Sequence, residues 1–200
     1  GVMLRGDAVM NLTEMFLELW HSFIDTDIKA DIVKYSPEVY GSRYISKGYV
    51  QPFYDTPLDR EALSENVYIE ILSRAEKYVY IYTPYLILDD IMKNALCLAA
   101  KRGVDVRLVT PGIPDKRIIY RMTRANYMPL LRAGVRIFEY TPGFIHAKSF
   151  VSDDKIGVVG TINLDYRSLF LHFECGTLLY GCDAVTELKN DCLATFGQCR

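Results

Sequence analysis

His146 and Lys148 stand two residues apart in the stretch of this chain richest in groups able to do chemistry, FIHAKSFVSDDKIGVVGTINLDYRSLFLHFE, from Phe144 to Glu174. On an extended strand that spacing aims both side chains to one side. An imidazole beside an ammonium suits a phosphate. The lysine supplies charge to its oxygens, and the histidine can attack phosphorus or protonate a leaving oxygen. Asp153-Asp154-Lys155 reads as a hairpin turn between two short strands, so the chain returns beside this pair. Thr161 and Asn163 can then reach the same pocket as neutral donors. Glu174, further on, can orient an imidazole through its ring N–H. Taken alone, an H-x-K pair fits an ordinary surface pair better, and its weight depends on the pattern around it.

The elements that must position these groups are legible in the apolar periodicity. Asp7 to Phe23 carries Val9, Leu12, Phe16, Leu19, Trp20 and Phe23 at helical spacing. Residues 25–57 show little pattern and read as a long irregular connection. Its tyrosines, Tyr35, Tyr40, Tyr44, Tyr49 and Tyr54, suit either a membrane interface or the edge of a core. From residue 58 onward the reading is an α/β core. Helices are expected over 59–75, 89–102 and 115–133, the last kinked or restarted at Pro129 because proline lacks a backbone donor. Strands are expected over 78–82, 104–110 and 135–140, which gives parallel pairing through right-handed crossovers. After them come short strands over 147–152, 156–160 and 176–180 and a closing helix over 184–196. The sheet is therefore mixed, with helices on both faces.

Composition narrows the function classes. Twenty-three basic against 25 acidic side chains leave a formal charge of -2, which argues against a surface built to blanket nucleic acid. The longest uncharged stretch, Tyr78 to Leu88, has 11 residues, well short of the ~20 a membrane helix needs. Five cysteines give an odd count with no CxxC pair, which reads as free thiols rather than a disulfide frame. No signal peptide is evident at the N-terminus. The chain opens without an initiator methionine, which suggests a piece of a longer protein.

The full spacing is His146-x-Lys148-(x)4-Asp153-(x)6-Gly160-Thr161-x-Asn163. It resembles the HKD motif of the phospholipase D superfamily at every interval. The stretches Tyr85-Leu86-Ile87, AAKRGVDVR from Ala99, LLRAGV from Leu130 and NLDYRS from Asn163 are similar to the C-terminal half of bacterial cardiolipin synthases. Residues Leu4 to Trp20 resemble the segment just downstream of the first motif in those enzymes. The resemblance implies a phospholipase D-like mixed β-sheet between helices and one domain over residues 1–200, part of a two-motif membrane enzyme. It also implies transfer of a phosphatidyl group between two phosphatidylglycerol molecules through a phosphohistidine, releasing glycerol, with no metal and no cofactor. His146 is then general acid/base, with the first motif's histidine the usual nucleophile. Lys148 and Asn163 hold phosphate oxygens, with Thr161 a further donor, Glu174 steadying a histidine, and Asp153 either structural or catalytic.

The family's site needs two facing motifs and this chain holds one, since His21 and His172 each lack a lysine two residues on. The partners implied are phospholipids and either the missing N-terminal half or a second copy as a homodimer. The parent would sit at the cytoplasmic membrane, with this domain soluble on its cytoplasmic side. Two further readings stay open: a one-motif phosphodiesterase or nuclease acting as a dimer, and a binding module without activity of its own.

Overall fold

The computed structural model describes residues 1–24, 27–36, 47–59 and 61–200. In chain order the first elements are α1 (Val9–His21), α2 (Ile28–Lys34), β1 (Tyr49–Asp55), α3 (Leu63–Arg74), β2 (Tyr78–Tyr82), β3 (Leu86–Ile87) and α4 (Asp90–Lys101). Then come β4 (Asp105–Pro111), α5 (Arg117–Ala125), α6 (Tyr127–Ala133), β5 (Arg136–Tyr140), β6 (Ser149–Ser152) and β7 (Ile156–Gly160). The chain closes with β8 (Leu164–Asp165), α7 (Tyr166–Phe170), β9 (Glu174–Tyr180) and α8 (Asp183–Phe196).

The main sheet has the order β1-β9-β7-β6-β2-β4-β5. β2, β4 and β5 run parallel, joined through helical crossovers, while β6, β7, β9 and β1 add antiparallel neighbours. Mixed pairing of this kind is what the sequence pattern calls for. β2 shows how one strand serves two cores. Val79 and Ile81 face the cluster formed with α3, α4 and α6, whereas Tyr78, Tyr80 and Tyr82 face α8 through Val185, Cys192 and Phe196. The three phenols keep their polar ends paired, to Asp154 at 3.0 Å, Asp105 at 3.4 Å and Asp191 at 3.0 Å.

Three expectations are corrected. Residues 25–57 are not wholly irregular, since α2 and β1 lie within them. β1 holds Pro52, which cannot donate to a ladder and is tolerated because β1 pairs only with β9 at the sheet's edge. Tyr49 and Tyr54 lie on this edge strand, the second donating to Glu18 at 2.7 Å; Tyr40 and Tyr44 lie outside the described residues. The break in the 115–133 helix falls at Asn126, not Pro129. The Asn126 amide donates to Leu86 O and Met122 O, both at 3.0 Å, and Pro129 is accommodated near the start of α6, where a missing N–H costs nothing. The third correction concerns β6, which begins at Ser149, so His146 and Lys148 lie in the segment just before it, outside any strand.

Candidate active site

Strand direction gathers the chemistry. β2, β4 and β5 end at Tyr82, Pro111 and Tyr140, and β6, antiparallel to β2, starts at that same edge. β7 returns to it at Gly160 and β9 leaves it at Glu174. His146, Lys148, Thr161, Asn163 and Glu174 therefore all belong to one edge, outside the carboxyl ends of the parallel strands, where open α/β sheets bind ligands. Gly160 is fixed by backbone approach. A Cβ there would stand 2.2 Å from Cys175 O and 2.7 Å from Gly176 Cα.

Lys148 is 8% exposed, and its ammonium lies 3.0 Å from both Nδ1 and Nε2 of His146. Equal distances to the two ring nitrogens, which flank Cε1, put the ammonium over the ring's face, because an in-plane position would collide with Cε1; the neutral ring's one in-plane lone pair stays available. The ammonium also donates to His146 O at 2.8 Å. Tyr85 stands edge-on to the imidazole with centroids 6.4 Å apart, and Phe144 flanks it at 5.7 Å. Burial and then the Lys148 charge push the His146 pKa below its ordinary value, with Asp115 pulling the other way. Burial likewise lowers Lys148, against the opposing pull of Glu174 and Asp165. The pair opens on a cleft of about 680 Å³ shared with Ser149, Gly160, Tyr82 and α8.

The other expected residues are placed unevenly. The Thr161 hydroxyl donates to Glu174 Oε2 and accepts from Cys175 N at 3.0 Å, so it bridges to β9. The imidazole that Glu174 meets is His172, whose Nδ1 is 3.9 Å from Oε1. Toward the His146 pair Glu174 acts through its charge on Lys148. Asn163 Nδ2 donates to Ser168 Oγ at 2.9 Å, and its buried Oδ1 has no partner among the described residues. Asn163 lines a second cavity, which Tyr85 also lines.

Asp153 stands apart from the other motif residues, and of the two roles weighed for it, structural or catalytic, its partners fit the structural one. It sits in the β6–β7 turn at the opposite end of β6, where its carboxylate accepts the backbone N–H of Glu76 at 2.8 Å and of Lys77 and Tyr78 at 2.9 Å. Asp153 and Asp154 both take positive φ, 54° and 59°, as the two central residues of a tight turn closed by Lys155 N–H donating to Ser152 O at 3.0 Å. The bonds to the Asp153 carboxylate tie the turn to the start of β2.

Tyr85, Asp115, Arg167 and His172 join the site without having been singled out for it. Tyr85 donates to Asp115 at 2.5 Å, and Arg167 Nε donates to His172 Nε2 at 2.6 Å. Tyr85 and Arg167 stand inside the family-like stretches, and that placement is their one signal in the sequence.

A family model described as cardiolipin synthase, PLD-like domain, matches residues 68–194. An uncharacterized protein of Streptococcus mutans serotype c is 49% identical over all of this chain, which covers 42% of that protein. A cardiolipin synthase of Halalkalibacterium halodurans is 37% identical over 94% of the chain, again covering only 37% of the relative's length. Among solved structures, the phospholipase D family member Nuc of Salmonella typhimurium superposes with a TM-score of 0.66 at 17% identity, over 77% of this chain and 97% of that one. The phosphatidylserine synthase of Haemophilus influenzae gives 0.59 at 16% identity, over 88% of this chain and 48% of that one. Both share the fold.

Proposed function

The chain belongs to the family of cardiolipin synthase PLD-like domains, and we propose that it supplies one half of the active site of a phosphatidyltransferase that joins two phosphatidylglycerol molecules. The observation that carries this reading is the His146–Lys148 pair, a buried ammonium laid on an imidazole at the sheet's carboxyl edge. The other half comes from a second HKD motif, in a longer parent chain or a second copy.

In the proposed reaction a histidine of the other half attacks the donor's phosphorus. The P–O bond to glycerol breaks as His146, protonated, gives its proton to the leaving oxygen. His146, now neutral, takes a proton from the hydroxyl of the second phosphatidylglycerol. That oxygen displaces the phosphorus from histidine, giving cardiolipin. Lys148 neutralises charge on the phosphoryl oxygens, with the Asn163 amide beside them. In the unliganded chain burial and Lys148 favour neutral His146. A bound phosphodiester reverses that bias, because its negative charge favours the imidazolium that the first step needs.

The lipid substrate places the parent enzyme at a membrane surface, with this domain on the cytoplasmic side. Among the described residues no helix is long and apolar enough to cross a membrane. The test measures cardiolipin made from phosphatidylglycerol vesicles by the full-length enzyme in EDTA. Turnover that survives EDTA and disappears with His146→Ala is expected. Turnover lost to EDTA alone, or kept by His146→Ala, would overturn the reading.

A further inference from the structure

Beside the His146 cleft lies a second cavity, of about 410 Å³, lined by Tyr85, Lys116, Asn163, Tyr166, Arg167 and His172 among others. We propose that this cavity seats the phosphodiester headgroup of the acceptor lipid, with Arg167 and Lys116 as its cationic ligands. The assignment rests on the phosphatidyl-transfer reading and adds to it a site for the second substrate.

Arg167 is held as a ligand-binding arginine needs to be. Its Nε–H donates to His172 Nε2 at 2.6 Å. A ring nitrogen that accepts is unprotonated, so the proton of the neutral ring is on Nδ1. Nδ1 stands 3.9 Å from Glu174 Oε1. Glu174, side chain 9% exposed, is anchored in turn by the Thr161 hydroxyl. This Glu174–His172–Arg167 series uses the Nε of the guanidinium and leaves both terminal NH2 groups for a forked grip on phosphate oxygens. His172 is thereby a positioning residue, acting through Arg167.

A second observation points to a polar ligand. Asn163 Oδ1 is buried, without a partner among the described residues. A buried oxygen left unpaired forfeits its hydration with nothing in return. A glycerol hydroxyl would satisfy it. Asp165 is the opposing charge on this wall; its carboxylate accepts Ser168 N–H at 2.8 Å.

The position suits the product's covalent geometry. The two phosphates of cardiolipin stand at the ends of a three-carbon bridge, so the acceptor's phosphate must lie one glycerol away from the phosphorus under attack. Tyr85 spans that interval: its ring is edge-on to His146, it lines the second cavity, and the Lys116 ammonium is 6.0 Å from its centroid. A neutral alcohol makes no use of an anion site. The acceptor's charge is therefore the discriminating feature.

The experiment gives the full-length enzyme phosphatidylglycerol vesicles together with ethanol, so that anionic lipid and neutral alcohol compete for the same phosphatidyl group. The readout is the ratio of cardiolipin to phosphatidylethanol, in which loss of folded enzyme cancels. Arg167→Ala and Lys116→Ala are each expected to lower the ratio at least tenfold relative to wild type, and Arg167→Lys by less. A ratio unchanged in both alanine variants, whatever the total rate, would overturn the acceptor site. Wild-type enzyme that forms neither product would instead overturn phosphatidyl transfer itself, and the acceptor site with it.

Discussion

The two ends of the central sheet are built to different standards. At the end away from the site, polar groups are paired in series. Asp153 accepts three backbone N–H groups, Tyr78 OH donates to Asp154 and accepts its N–H at 2.9 Å, Lys189 donates to Asp154 at 2.6 Å, and Ser152 Oγ donates to Tyr78 O at 3.1 Å. At the carboxyl edge the pairing is incomplete. The buried side-chain atoms without partners among the described residues are Ser64 Oγ, Glu65 Oε1 and Asn163 Oδ1, all at or near this edge. The Lys148 ammonium there rests on an imidazole face rather than on a carboxylate. Unpaired polar groups cost stability, and a ligand can restore it. One end of β6 fixes the fold, and the other holds groups in readiness. Both belong to a single motif.

The largest expected effect lies at the well-paired end. Asp153→Ala removes three charge-assisted bonds and forces alanine into positive φ, for a loss of about 3 kcal/mol. Denaturant unfolding measures it, and a loss under ~1 kcal/mol would mean the turn is not the anchor described. Asp153→Gly relieves the backbone and keeps only the side-chain loss, so its cost should fall between wild type and alanine.

At the open end the sign reverses. Burial, then the hydrogen bond and charge of Asp89, push the Glu65 carboxyl up to about 7. A carboxyl raised in the folded state favours folding below its ordinary pKa of about 4.3 and loses that contribution as pH rises toward 7. Glu65→Gln should therefore leave stability near pH 4 unchanged and raise it at pH 8, by about 1 kcal/mol after allowance for solvent screening. Thermal unfolding at the two pH values checks this. A variant less stable at pH 8 would show that the Glu65 charge is satisfied after all.

The smallest effect is a shift in titration. Lys148→Met removes the second cause that depresses His146 and leaves the first, burial. The His146 pKa, followed by NMR of the ring protons, should rise part of the way back toward about 6.5. An unchanged or lower value would place the ammonium elsewhere than over the ring.

Much of this division was hidden in the sequence although its residues were visible. β2 and β7 were legible because continuous β-branched and aromatic runs are bounded by turn residues. β1 was hidden by Pro52, which only the edge position makes tolerable. β3 and β8 are two residues each, too short for any periodicity. The motif spacing groups His146, Lys148, Asp153 and Asn163 in one signature but leaves the role of Asp153 open between the turn and the chemistry. A four-residue strand separates Lys148 from Asp153, and at ~3.3 Å per residue that short interval carries the carboxylate to the opposite end of β6. His172 gave no signal and Arg167 only its place in the NLDYRS stretch, because their link to Glu174 depends on the path of α7 into β9.

The most direct measurement compares the two ends of the motif in one assay. Full-length wild type, His146→Ala and Asp153→Ala are assayed for cardiolipin formation from phosphatidylglycerol vesicles, each rate divided by the amount of folded enzyme. Removing a general acid/base costs about 10²–10⁴ in rate, so His146→Ala should fall by at least that, while Asp153→Ala should stay within a few-fold of wild type per folded molecule. An Asp153→Ala rate as low as that of His146→Ala would contradict the division between a structural end and a chemical one.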